Sequence, residues 1–106
     1  MLVLPEVEKA LERLKLKLLI QEKAKLTDAK VFDSVILFKN GHFLILLLFE
    51  EKPKKEVLSK VVASFPKPEC WVLWRKRDKI YVQKLQEDEV ISLQVHELDA
   101  FIELML

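Results

Sequence analysis

An aspartate and a Glu-x-Lys triplet are the residues of this chain whose types could do chemistry together. Asp33 lies near the start of one apolar stretch, and Glu50 and Lys52 follow the next, within the segment VFDSVILFKNGHFLILLLFEEK. Carboxylates supply the oxygen ligands that Mg²⁺ prefers, and a lysine beside them adds positive charge where an anionic transition state forms. The three residues therefore predict a metal-dependent phosphodiesterase site, provided that the fold brings them together.

A two-residue turn in the middle of this segment sets the pairing of its two strands. Asn40-Gly41 is the dipeptide most typical of a type I′ turn, whose central residues need positive φ. Gly41 is also the only glycine of the chain. The dipeptide therefore predicts a β-hairpin, and counting outward from a two-residue loop places Asp33 opposite Leu48.

The parity of this hairpin decides which side chains share a face. Side chains alternate between the two faces along a strand, and directly opposed residues lie on the same face. Asp33, Leu48, Glu50 and Lys52 are therefore predicted to share one face, with Glu50 diagonal to Asp33. A loop one residue longer would invert the parity, and Glu51 would then face Asp33 instead.

Composition predicts a single compact domain over residues 1–106. Half of the residues are apolar and a third are charged, which is typical of a globular fold and not of a disordered chain. The net charge is +1, so any surface that binds nucleic acid must be local. One glycine excludes a glycine-rich phosphate loop, and His42 and His96 lack the spacing of a metal site.

Several features predict a cytoplasmic protein. Cys70 is the only cysteine, which excludes an intramolecular disulfide and agrees with a reducing compartment; its apolar surroundings indicate a core position. No stretch has the pattern of a secretory leader or a membrane span, so no membrane partner is expected. Abundant Lys and Glu with few Gly is a composition found in heat-adapted proteins.

The periodicity of apolar residues predicts eight elements in the order αβββαββα. Helical stripes repeat every three or four residues, and half-buried strands alternate. The predicted elements are a helix from Pro5, a strand starting near Leu16, strands at about Val31–Phe38 and Phe43–Glu51, a helix after Pro53 with a stripe from Val57 to Phe65, strands around Cys70–Trp74 and Ile80–Leu85, and a helix from Val95 to Met105. Residues 86–89 are predicted to form a solvated loop.

This order, with an acid opening the second strand and Glu-x-Lys closing the third, resembles the PD-(D/E)XK nuclease superfamily. In size and layout the chain is most similar to archaeal Holliday junction resolvases. The resemblance implies an α/β (α+β) fold that is restriction-endonuclease-like, with a central mixed five-stranded sheet flanked by helices. It implies that Asp33 and Glu50 hold Mg²⁺ or Mn²⁺, that Lys52 is the catalytic lysine, and that Glu8 of the first helix, or less favourably Glu12, completes the site.

The function implied by the resemblance is metal-dependent hydrolysis of phosphodiester bonds in branched or otherwise structured DNA. A homodimer is expected, because junction nucleases cut two strands. The cationic residues expected to contact phosphate are of two groups: Lys54 and Lys55 just past the site, and Arg75, Lys76 and Arg77 in a predicted turn. Each group also has a plain structural interpretation, as an ordinary helix start and as a solvated hairpin tip.

A second hypothesis is that the chain has this fold but no catalytic activity. With seventeen acidic residues and fifteen lysines in the chain, roughly two acid-x-Lys triplets are expected by chance. Two occur, Glu50-Glu51-Lys52 and Asp28-Ala29-Lys30. The same element order resembles small secretion chaperones, and a catalytically silent subunit of a tRNA-splicing endonuclease would also fit. The apolar face of the C-terminal helix, FIELML, would then contact either its own sheet or a protein partner.

Overall fold

The computed structural model describes residues 2–15, 18–25, 31–39, 41–64, 70–85 and 87–106. Three helices and one mixed sheet account for most of them. The elements are α1 (Pro5–Leu14), β1 (Leu18–Lys25), β2 (Val31–Lys39), β3 (His42–Phe49), α2 (Lys55–Ser64), β4 (Cys70–Lys76), β5 (Lys79–Lys84), β6 (Val90–Gln94), a single 3₁₀ turn (Val95–Glu97) and α3 (Leu98–Met105).

The strands form one sheet in the order of the chain, from β1 to β6. Strands β3 and β4 are parallel, and every other neighbouring pair is antiparallel. A parallel pair needs a crossover connection, and α2 lies in the segment that joins β3 to β4. The prediction of an α+β domain with a mixed sheet is confirmed.

The hairpin of β2 and β3 has the predicted register. Asp33 pairs with Leu48, and Lys39 pairs with His42 across the turn. Gly41 has a φ of +84°, a left-handed conformation that glycine adopts without steric cost. Asn40, the other turn residue, lies outside the described residues. The strand β3 ends at Phe49, two residues before the end predicted from the sequence.

A sixth strand extends the sheet beyond the five that were predicted, and the five-stranded sheet of the prediction is corrected accordingly. Strand β6 pairs antiparallel with β5, for example Ile91 with Val82. Four of its five residues are exposed, so it lacks the alternation of buried and exposed positions that identifies a half-buried strand. The predicted C-terminal helix also begins later than expected, because a 3₁₀ turn precedes Leu98.

The sheet is covered on both faces, so two apolar clusters form. One face packs against α1 and α3, and its cluster combines Val35, Leu37, Leu44, Leu46, Leu48, Leu73, Ile80 and Val82 with helical residues such as Val7, Leu11, Leu98 and Ile102. The other face packs against α2 through Phe32, Ile45, Leu47, Phe49, Cys70, Val72 and Trp74, together with Val57 and Val61. We call these the α1/α3 face and the α2 face. Burial of each large side chain contributes about 1.5–3 kcal/mol.

The apolar side of α3 is used within the domain. Leu98, Phe101 and Ile102 are buried in the core, and the Phe101 ring contacts Trp71 edge to face at a centroid distance of 5.5 Å. Leu104 points outward and is 79% exposed. The sequence allowed this helix to contact either its own sheet or a protein partner. Most of its apolar side chains pack within the domain, in the core on the α1/α3 face.

Candidate functional site

Asp33 is fully buried near the start of β2. Its pairing with Leu48 places it on the α1/α3 face, as the hairpin parity predicts. The carboxylate oxygen Oδ2 accepts a hydrogen bond of 2.6 Å from the backbone N–H of Val3, thirty residues earlier. A buried carboxylate needs hydrogen bonds to offset its lost hydration, and this contact ties the chain before α1 to the sheet.

Glu8 of α1 reaches the same short segment. Its Oε1 accepts a hydrogen bond of 3.1 Å from the N–H of Leu2, so Glu8 and Asp33 receive consecutive backbone amides. The side chains of Leu2 and Leu4 are buried in the core on the α1/α3 face. We call residues 2–4 the N-terminal strap, because two carboxylates and two leucines hold it between α1 and β2. Glu12 is exposed.

Glu50 and Lys52 lie beyond the end of β3 and are both exposed. The prediction that they share a face with Asp33 relied on strand alternation, and in the structure the strand continues only as far as Phe49. The Lys52 ammonium nitrogen lies 6.0 Å from the centroid of the Trp74 ring. Trp74 belongs to the α2 face, so Lys52 contacts the side of the sheet opposite Asp33.

The candidate acids do not fit a divalent cation as they stand. Over the ranges that the structure describes, no group of three or more His, Cys, Asp or Glu side chains is arranged to hold a metal ion. Asp33 is completely inaccessible to solvent, and the strap amide already occupies one of its oxygens. Mg²⁺ retains several waters when it binds a protein, whereas the Asp33 side chain has no access to solvent in this conformation.

Arg75, one of the residues expected to contact phosphate, makes an ion pair within the domain. Its Nη1 lies 2.6 Å from Glu6 Oε1 of α1, and its Nε donates to the carbonyl oxygen of Arg77 at 2.8 Å. Glu6 Oε2 is buried and has no hydrogen-bond partner within the described part of the chain. Arg75 therefore links β4 to α1. Arg75 and Lys76 belong to β4 and not to the predicted turn, which includes Arg77. Lys76 and Arg77 are both exposed.

Lys54 and Lys55 line an open cavity of about 840 Å³ beside the start of α2. Glu87 and Asp88, from the loop before β6, line the same cavity. Charges of both signs therefore border it, and the described lining is not a continuous basic surface of the kind that tracks a phosphate backbone.

Three further residues have a structural role. Cys70 is fully buried in the core on the α2 face, as the sequence indicates, and this burial raises the pKa of its thiol to about 12. Arg13 of α1 donates two hydrogen bonds, of 2.7 and 2.6 Å, to the carboxylate of Asp99 in α3. That contact lowers the pKa of the Asp99 carboxyl, chiefly through the side-chain hydrogen bond from Arg13.

The two tryptophans lie on opposite faces of β4, as expected for strand positions three residues apart. Trp71 packs on the α1/α3 face, and Trp74 is buried on the α2 face, where its ring stacks on Tyr81 at 5.9 Å. They do not form one stacking surface for bases.

Comparison with known proteins finds no match: no family model, no curated protein and no solved structure is significantly similar to this chain. Of the helices in the described ranges, none is long and apolar enough to cross a membrane.

Proposed function

We propose that this domain is a structural or protein-interaction module with a nuclease-like topology, in which Asp33 maintains the fold. The observation that carries the proposal is the contact between the Asp33 carboxylate and the Val3 amide. The acid that a nuclease would use to hold metal is buried beneath the N-terminal strap. Glu50 and Lys52, which would complete such a site, lie past the end of the strand.

Exposed aromatic and aliphatic side chains support a role in protein contacts. Phe38 and Phe43 pair across the β2–β3 hairpin, with ring centroids 4.9 Å apart, and are 44% and 51% exposed. Single exposed apolar residues are ordinary, whereas adjacent ones form a patch that favours association. Leu104, at the end of α3, is another exposed apolar residue.

The restriction-endonuclease-like fold is part of the same proposal. It is supported by the order of the elements, by the mixed sheet and by α2 as the crossover between the parallel strands β3 and β4. A domain of this topology could serve as a structural subunit, for example in a tRNA-splicing endonuclease, or as a small chaperone. Such a role would need the exposed apolar residues for contacts with other proteins and would not need the acids for catalysis.

The second candidate is an endonuclease dependent on Mg²⁺ or Mn²⁺ that acts on branched DNA, as a cytoplasmic homodimer. The observation that favours it is the approach of Glu8 and Asp33 to one segment, since these are the two acids that the resemblance assigns to a metal site. Displacement of the N-terminal strap would remove one backbone hydrogen bond from each carboxylate. Because the residues do not fit a metal ion in this conformation, we derive no catalytic step.

A cleavage assay separates the two candidates. Wild type and Asp33→Asn, purified in parallel, are incubated with a labelled four-way junction and a matched duplex in Mg²⁺ and in Mn²⁺. If the domain is an interaction module, wild type should cut no more than Asp33→Asn. The variant serves as the control for contaminating nucleases. Metal-dependent cutting by wild type that Asp33→Asn abolishes would establish the endonuclease instead.

A further inference from the structure

Strand β6 is the last strand of the sheet at one edge. Strand β6 pairs with β5 on one side, and no strand of the described ranges pairs with its other side. An edge strand presents unpaired backbone N–H and C=O groups, which proteins usually protect with charged residues, proline or a bulge. The sequence of β6, VISLQ, contains no charged residue and no proline.

The opposite edge of the sheet differs in this respect. Strand β1 has the sequence LLIQEKAK, with Glu22, Lys23 and Lys25, and charged residues on an edge oppose pairing with another strand. On β6, Val90 and Ile91 are 39% and 41% exposed. The two edges therefore have different chemistry, and β6 is the one suited to pairing.

We propose that β6 of one chain pairs antiparallel with β6 of a second copy, which joins two six-stranded sheets into one. The sequence of the strand is self-complementary in this arrangement. Pairing centred on Ser92 places Ser92 opposite the same residue of the second copy, Ile91 opposite Leu93, and Val90 opposite Gln94. A twofold axis perpendicular to the sheet relates the two chains, as in the interface of a closed dimer.

The faces of β6 agree with this register. Ile91 pairs with Val82, and Leu93 pairs with Ile80, and both β5 residues belong to the α1/α3 face. Ile91 and Leu93 therefore lie on the same face, so the exposed Ile91 of each copy packs against Leu93 of the other. Within β6 itself, no charged residue meets another when two copies pair in this way. The inference goes beyond the proposed function and applies equally to the second candidate.

Disulfide trapping with Ser92→Cys tests both the interface and its register. Directly opposed residues of antiparallel strands have Cα atoms roughly 4.5–5.5 Å apart, within the range of about 4.4–6.8 Å that a disulfide spans. Ser92 is exposed, so the substitution does not disturb the core. The native Cys70 is fully buried and does not compete.

Val90→Cys is the matched control. It lies on the same strand and the same face as Ser92, but the proposed register places it opposite Gln94. The two introduced cysteines would then be about four residues apart along the strands, roughly 13 Å, which is too far for a disulfide. The double variant Val90→Cys with Gln94→Cys should cross-link again, because each cysteine then has a partner.

We expect Ser92→Cys to form disulfide-linked dimer about a hundredfold faster than Val90→Cys, because strand pairing raises the effective concentration of the two thiols. Sedimentation of wild type should show a dimer that Ser92→Lys dissociates, because that change puts two ammonium groups at the twofold axis. Equal trapping of both single variants would overturn the proposal, as would a wild-type dimer that Ser92→Lys leaves intact. A monomeric wild type without trapping would also overturn it and leave the edge for an extended segment of another protein.

Discussion

Replacement of Asp33 by alanine tests whether this carboxylate maintains the fold. The change removes the acceptor of the 2.6 Å hydrogen bond from the Val3 amide, in a position without solvent access. Hydrogen bonds to charged groups contribute about 1.5–3 kcal/mol. We therefore expect Asp33→Ala to lower the free energy of unfolding by about 2 kcal/mol, which for a domain of this size lowers Tm by roughly 10 °C.

The assay is thermal and urea denaturation in buffer that contains EDTA, followed by circular dichroism. Asp33→Asn keeps an acceptor oxygen and loses the charge, so its loss of stability should be smaller than that of the alanine variant. Glu50→Ala is the matched control, because Glu50 is exposed and lies past the strand end. Exposed substitutions of this kind change stability by about 0.5 kcal/mol or less.

A metal ligand would give the opposite result. Acids that are assembled for metal binding are often a source of instability without the metal, and their removal then leaves stability unchanged or raises it. Asp33→Ala that is as stable as wild type in EDTA would refute the structural role of Asp33, and so would a variant of greater stability.

The remaining predictions concern Asp99 and Cys70, whose pKa values are both shifted. Because the Asp99 pKa is lowered, chiefly by the hydrogen bond from Arg13, the ion pair contributes stability above the unfolded-state pKa of Asp99 and loses it as the pH falls through the lower folded-state pKa. Asp99→Asn should therefore have a lower Tm than wild type near neutral pH and the same Tm as wild type in strong acid. A difference in Tm that persists in strong acid would contradict this. Because burial raises the Cys70 pKa to about 12, a thiol reagent should label Cys70 only after unfolding in urea, and fast labelling of the folded protein would be inconsistent with its burial.

Local rules predicted the hairpin correctly. The Asn40-Gly41 dipeptide fixes a tight turn, and the alternation of side chains then carries the register from Lys39 and His42 as far as Asp33 and Leu48. The same alternation could not predict where β3 ends. The chain leaves the strand after Phe49, and from that residue onward the parity that placed Glu50 and Lys52 beside Asp33 no longer applies.

Long-range contacts were beyond the sequence patterns. The Val3 amide meets Asp33 across thirty residues, and Arg75 meets Glu6 across sixty-nine. No periodicity connects such positions, because each contact depends on how α1 packs against the sheet. Strand β6 was missed for a different reason. Its exposure on both faces removes the alternation that identifies strands, although its lack of charge is now the feature that points to an interface.

The most direct test of the role of Asp33 is a Mn²⁺ titration followed by amide NMR, with Asp33→Asn as the control. Bound Mn²⁺ broadens the signals of nearby nuclei, so a metal at Asp33 would affect the amides of Val3 and Asp33 first. A carboxylate that holds the N-terminal strap predicts no saturable broadening at these two amides. Saturable broadening centred on them, absent in Asp33→Asn, would contradict the structural role and identify Asp33 as a metal ligand.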